Sequence, residues 1–145
     1  LVSPLAEKVL EDKVPFLGIC VGLQVLFEHS EEEETTCLGW LKGDVRRFPA
    51  SVRVPQIGWN ETEFVRSHPL IQGLDSSEYF YFVNSYYVVP QNNSIVLAKT
   101  DYAGEFCSMI AQDNIYAAQF HLEKSGTVGL RLLKNFTRLA GGTSC

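Results

Sequence analysis

Pro15-Phe16-Leu17-Gly18-Ile19-Cys20-Val21-Gly22-Leu23-Gln24 is an apolar run that passes through Gly-x-Cys-x-Gly and then takes on helical character. A strand that reverses sharply into a helix strains the backbone of its corner residue, and the residues two away on either side must be small for the chain to pass. Gly18 and Gly22 supply those neighbours, so the run reads as a nucleophile elbow with Cys20 at the corner. The corner side chain of such an elbow stands above the sheet at a helix amino terminus, where backbone N–H groups and the dipole favour a thiolate. A cysteine taken alone is more often a small buried hydrophobe. Cys20 as a nucleophile therefore needs partners elsewhere in the chain.

Working outward, Val2, Leu5, Val9 and Leu10 recur at helical spacing, and Pro15 opens the elbow strand. After the elbow, Leu23, Leu26 and Phe27 line a helix face that ends near His29, and Ser30 with Glu31 to Glu34 makes an acidic, solvated loop. Residues 43–48 and 58–65 alternate as strands do, and His68-Pro69-Leu70-Ile71-Gln72-Gly73 reads as a short helical turn closed by glycine. Residues 79–89 and 95–97 are rich in aromatic and β-branched side chains, which predicts strands. Residues 106–111 and 115–120, separated by Gln112-Asp113-Asn114, form a hairpin signal. A final helix starts at Gly126 and Thr127, carries Val128, Leu130, Leu132, Leu133 and Phe136 as its apolar positions, and ends at Gly141-Gly142. Helices flanking the elbow strand, with hairpins between, predict an α/β sandwich around a mixed sheet, in one domain over residues 1–145.

Composition narrows the partners. With 145 residues and 46% apolar content, the chain can bury a substantial core. Twelve basic against seventeen acidic residues give a net charge of −5, which argues against nucleic acid, whose binders cluster Lys and Arg. The apolar stretches at 14–27 and 115–120 are interrupted and too short to span a bilayer, so no membrane segment is expected. Residues 1–11 read as the latter part of an amphipathic helix rather than a leader. Cysteines at 20, 37, 107 and 145 show no C-x-x-C spacing, which favours a reducing, cytoplasmic compartment.

A cysteine nucleophile benefits from a base, and the base from a partner that orients it. His121 and Glu123 follow the strand at 115–120, and residues two apart on extended backbone share a face, so the carboxylate can hold the imidazole. His29 and His68 read as surface residues. A Cys-His-Glu set suits a protease, an acyltransferase or an amidase alike. No metal and no organic cofactor is expected, because the one His/Cys/Asp/Glu grouping with clear geometry is already occupied as a triad.

Gly18-Ile19-Cys20-Val21-Gly22-Leu23-Gln24 together with Gln119-Phe120-His121-Leu122-Glu123-Lys124-Ser125-Gly126 resembles the class I glutamine amidotransferase family. Pro55-Gln56-Ile57-Gly58-Trp59-Asn60 and Tyr81-Phe82-Val83-Asn84-Ser85-Tyr86 are similar to the glutaminase branch that serves imidazole glycerol phosphate synthase. The resemblance implies a flavodoxin-like sandwich that hydrolyses glutamine to glutamate and ammonia, with Cys20 as nucleophile, His121 as base and Glu123 as its orienting partner. It implies that the backbone N–H of Val21 faces the oxyanion and that Gln24, Ser85 and Tyr86 help hold glutamine. Ammonia would pass to a (β/α)8-barrel cyclase, a subunit or a fused domain, to make imidazole glycerol phosphate and aminoimidazole carboxamide ribotide in histidine biosynthesis. Trp59, Asn60, Asn84 and Lys124 would lie toward that cyclase. The compartment implied is cytoplasmic, or an organellar stroma for a plant protein. Glutaminases of other synthases, or a silent regulatory module of the same fold, share much of this pattern.

The chain departs from the family at Leu122, where Pro is usual, and at Asn84, where His is usual. The Leu122 side chain is expected to point away from the chemistry. Members of the family begin with a β-α-β portion whose Pro-Gly-x-Gly loop supplies a second oxyanion donor. These residues contain no such loop, so the chain is expected to be a fragment, the C-terminal two-thirds or so of the family domain, and to be unstable or inactive by itself.

Overall fold

The structure, a computed structural model, describes residues 2–141. It opens with helix α1 (Val2–Ala6), which widens into a π-helical turn over Glu7–Glu11. Ten strands follow: β1 (Phe16–Ile19), β2 (His29–Ser30), β3 (Thr35–Thr36), β4 (Gly43–Arg47), β5 (Gln56–Phe64), β6 (Ser77–Asn84), β7 (Tyr86–Pro90), β8 (Val96–Asp101), β9 (Glu105–Gln112) and β10 (Ile115–Ala118). Helix α2 (Val21–Gln24) sits between β1 and β2, and helix α3 (Gly126–Ala140) closes the chain.

The strands form one mixed sheet in the order β3-β2-β4-β7-β9-β8-β5-β6, with β10 joining β9 to β1. Pairs β1–β10 and β2–β4 are parallel, and the others are antiparallel. The predicted hairpin is β9–β10, turning at Asp113 with a φ of 52°. Asn114 then ties this turn to the chain ahead of β1, its side-chain amide donating to the carbonyls of Val9 at 2.8 Å and Val14 at 2.7 Å. The Phe16 N–H donates to the Asn114 carbonyl at 2.8 Å, which sets the parallel register Phe16↔Ile115 through Ile19↔Ala118.

Both faces of β10 are buried, as its period-two alternation requires. Tyr116 and Ala118 join a cluster with Phe80, Phe82, Phe120 and Leu132, roofed by Val128, Leu133 and Phe136 of α3. Ile115 and Ala117 join the opposite cluster with Val9, Leu23, Leu26 and Phe27. Helices therefore cover both faces of the strand that leads to His121, as expected for an α/β sandwich.

The sequence predicts a longer helix after the elbow than the four residues of α2. Leu23, Leu26 and Phe27 are all fully buried, as the pattern demands, but the chain leaves the helix between them. The carbonyls of Val25, Leu26 and Phe27, free to continue a helix, instead accept from the N–H groups of Leu38, Leu41 and Gly39 at 2.8–2.9 Å. His29 consequently opens β2 and pairs with Thr36 and Asp44. The acidic stretch 31–34 is exposed as predicted. The aromatic stretch 79–89 is interrupted at Ser85, which separates β6 from β7. Gly141 caps α3 as predicted, while Gly142 lies outside the described residues.

Candidate active site

Cys20 occupies the corner between β1 and α2 with φ 57° and ψ −108°, a conformation that a non-glycine residue seldom adopts. A Cβ added at Gly18 would lie 2.4 Å from the Gly22 carbonyl oxygen, so no side chain fits at Gly18. Gly22 is different, since a Cβ there meets nothing within 4 Å. Only one of the two glycines flanking Cys20 is demanded by packing within this chain.

The parallel pairing of β1 with β10 continues one step past both strands, where the Cys20 N–H donates to the Ala118 carbonyl at 2.8 Å. Gln119, Phe120 and His121 follow directly, which brings the two chemistry-bearing stretches to one end of the sheet. His121 Nδ1 lies 2.9 Å from Glu123 Oε2. Both main-chain polar atoms of His121 are tied to β6, its N–H donating to the Tyr81 carbonyl at 2.9 Å. Ser125 Oγ donates to the His121 carbonyl at 2.6 Å and accepts from the Tyr81 N–H at 3.0 Å. Leu122 is buried in the core, so its side chain does point away from the site.

The electrostatics differ from the expectation of a favoured thiolate. Burial pushes the Cys20 thiol above its ordinary value; the Val21 N–H pulls it down, the Glu123 charge pushes it up, and the Gln119 side chain pulls it down. Helix α2 is a single turn, and its N–H groups do not outweigh desolvation. The thiol lies 3.8 Å from its acceptor, the Val83 carbonyl, and among the described residues no hydrogen bond joins Cys20 to His121. Burial also pushes Glu123 upward, but hydrogen bonds from His121 and its own backbone, with the charges of His121 and Lys124, hold it below the ordinary carboxylate range.

The remaining sequence-predicted residues fall into three groups. Val21 is exposed, and its backbone N–H faces the Cys20 sulfur. Gln24 is buried, its Nε2 donating to the Tyr86 carbonyl at 3.1 Å and to Gln119 Oε1 at 3.0 Å. Ser85 occupies the break between β6 and β7, and its carbonyl accepts from the Phe48 N–H at 3.1 Å. The Tyr86 ring turns toward Arg47, whose guanidinium carbon lies 5.6 Å from the ring centre. Trp59 is 54% exposed, its ring meeting Tyr81 edge-on, and Lys124 is exposed on the His121 turn. Asn60 serves the sheet, its side chain donating to the Asp101 carbonyl at 3.0 Å. Asn84 lies inside, 5% exposed, with Nδ2 donating to the Tyr86 carbonyl at 3.1 Å. Asn84 Oδ1 and its cross-strand neighbour Gln56 Oε1 are buried acceptors without a donor among the described residues.

Sequence reasoning assigned no role to Gln119 or Ser125. Gln119 is fully buried and donates from Nε2 to Cys20 Sγ at 3.6 Å. A polar residue in the otherwise apolar stretch 115–120, two positions before the base, is the signal that could have found it. No group of three or more His, Cys, Asp or Glu side chains among the described residues is placed to hold a metal. No helix among them is long and apolar enough to cross a membrane.

Residues 3–139 match the family described as glutamine amidotransferase class-I. This chain belongs to the class I glutamine amidotransferase family. The amidotransferase is 47% identical over 142 residues to the imidazole glycerol phosphate synthase subunit HisH of Methanocaldococcus jannaschii, a match covering 95% of this chain and 72% of the relative. The HisH of Aquifex aeolicus is 50% identical over 141 residues, covering 97% and 68%, and that of Nitrosococcus oceani 53% over 126 residues, covering 84% and 60%. In fold, the amidotransferase resembles a crystal structure described as a glutamine amidotransferase, with TM-score 0.70, 22% identity and coverage of 97% and 68%. A putative GMP synthase subunit from Thermoplasma acidophilum gives TM-score 0.68, 18% identity and coverage of 97% and 64%.

Proposed function

We propose that this amidotransferase is the glutaminase of an imidazole glycerol phosphate synthase, with residues 1–145 belonging to a single amidotransferase domain. The observation that carries the proposal is Cys20 at a strained strand-to-helix corner, at the same sheet end as a His121–Glu123 pair bonded at 2.9 Å. Since the resting sulfur is held as a thiol, attack requires a base. His121 takes the Cys20 proton as sulfur bonds to the side-chain carbonyl carbon of glutamine. The Val21 N–H stabilises the oxyanion. His121 returns its proton to the amide nitrogen, the C–N bond breaks, and ammonia leaves behind a thioester. Water then attacks the thioester, giving its proton to His121. The C–S bond breaks, and the proton returns to Cys20 as glutamate departs. Glu123 keeps the imidazole oriented and stabilises its charged form.

Gln24, Ser85 and Tyr86 are the residues assigned to hold glutamine, with Gln24 Oε1 and the Ser85 hydroxyl the groups offered to it. Ammonia passes to a (β/α)8-barrel cyclase that docks over Trp59 and Lys124. Exposed Ile57 on the same face of β5 as Trp59 supports an apolar contact there, and a Cβ at Gly126, beside Lys124, would lie only 3.9 Å from the Trp59 ring. Asn60 and Asn84 support that face from within. Glutamate release from glutamine, measured alone and with the cyclase and its ribonucleotide ligand, tests the reading. Release that depends on the cyclase and disappears in Cys20→Ala is expected. Unchanged release in Cys20→Ala overturns the nucleophile, and stimulation only by a different synthase overturns the partner.

A further inference from the structure

Three side-chain amides and one backbone carbonyl form a buried chain that ends at the nucleophile. The Tyr86 carbonyl oxygen can only accept, and it receives Gln24 Nε2 at 3.1 Å and Asn84 Nδ2 at 3.1 Å. Those two donors use both of its lone pairs and fix which end of each amide points inward. Gln24 Nε2 also donates to Gln119 at 3.0 Å, so the Gln119 atom facing it must be the oxygen. The Gln119 nitrogen is thereby turned toward Cys20, 3.6 Å from the sulfur. The polarity of the whole relay follows from a main-chain carbonyl that cannot exchange its role.

We propose that Gln119 is a positioning residue for the nucleophile: oriented through Gln24 from the Tyr86 carbonyl, it presents a fixed N–H donor that holds Cys20 Sγ and stabilises its thiolate once the proton has left. The inference rests on the reading of Cys20 as the nucleophile. The thiol hydrogen has its own acceptor in the Val83 carbonyl at 3.8 Å, so the resting thiol does not need Gln119 to satisfy it. After deprotonation that carbonyl faces a negative sulfur and opposes it, while a hydrogen bond to an ionised acceptor is about twice as strong as a neutral one. Gln119 and the Val21 N–H then favour the charged form through hydrogen bonds, against the Glu123 charge, which opposes it. Gln24 acts at one remove, because its side chain makes no hydrogen bond to the sulfur.

The pH dependence of Cys20 alkylation by iodoacetamide, read at the Cys20 peptide by mass spectrometry in the intact protein with its partner, tests the inference. Cys107 contributes no background, since burial pushes it up to about 12. Gln119→Met keeps the volume, removes the donor and adds no charge. It is expected to shift the profile alkaline by about one pH unit or more and slow alkylation near neutral pH by about tenfold. Gln24→Met, which leaves Gln119 in place but releases its orientation, is expected to shift the profile in the same direction by a smaller amount. Iodoacetamide needs no glutamine pocket, so lost substrate contacts cannot produce either shift. A folded Gln119→Met protein whose profile superimposes on the parent overturns the proposal, as does a Gln24→Met profile that does not move. Failure of the underlying reading looks different, as undiminished glutaminase activity in Cys20→Ala.

Discussion

His121 Nδ1 and Glu123 Oε2 are 2.9 Å apart across a tight 310 turn, and the histidine side chain is the better buried of the two. The carboxylate is held below its ordinary range, so the bond it makes is fully present above the value of an unfolded glutamate and is lost as pH falls through the lower folded value. Glu123→Gln is expected to lower kcat by about 10²-fold, the lower end of what positioned acid–base catalysis contributes, because more than half of the Glu123 side chain faces water. The acid limb set by this carboxylate in the parent's kcat profile should fall below the ordinary glutamate range, and the Glu123→Gln substitution should abolish that limb. Steady-state glutamate release across pH checks both.

Backbone strain at Cys20 separates from its chemistry. Cys20→Ala and Cys20→Gly both remove the thiol, but only glycine adopts a φ of 57° without cost. Sparsely populated conformations cost about 1–3 kcal/mol, so the glycine variant should be the more stable of the two by about 1 kcal/mol, with both inactive. Urea unfolding of the pair measures the difference.

The two glycines of the elbow should respond differently to the same change. In Gly18→Ala the new methyl meets the Gly22 carbonyl at 2.4 Å, and relieving that overlap should destabilise the chain by about 1–3 kcal/mol and disturb Cys20. Gly22→Ala places its methyl in open space on a short helix, where alanine is favoured by about 0.8–1 kcal/mol. Comparable losses for both substitutions, by urea midpoint and glutamate release, would refute the distinction.

Ser125→Ala removes the hydroxyl that joins the Tyr81 N–H to the His121 carbonyl. The His121 carbonyl keeps the Lys124 N–H at 3.2 Å, but leaving the Tyr81 N–H unpaired in a site that is 1% exposed at Ser125 should cost about 1–3 kcal/mol. The His121–Glu123 turn should loosen, with kcat falling more than KM changes. Ser125→Thr retains the hydroxyl and is the variant that should restore kcat.

Much of this protein is local in origin, and those parts were legible in the sequence. The small residues around Cys20 mark a sharp corner, and two apolar runs at 106–111 and 115–120 around a polar turn mark the hairpin, whereas His121 and Glu123 meet across a 310 turn and not along the extended backbone their spacing suggests. The corner and the hairpin each need only a few residues of chain. The relay to the sulfur is different, because it joins residues 62, 95 and 99 positions apart, and no spacing rule spans such distances. Helix α2 is short for the same reason, since its would-be carbonyls are claimed by residues 38–41. Asn84 lies inside although its motif suggests an interface, and burial rather than the helix terminus sets the direction of the Cys20 shift. Sequence alone singled out the candidates for the chemistry, through local geometry and the family resemblance. Tertiary structure decided which of them are desolvated and which donor each acceptor receives, because both depend on what the folded chain places around them.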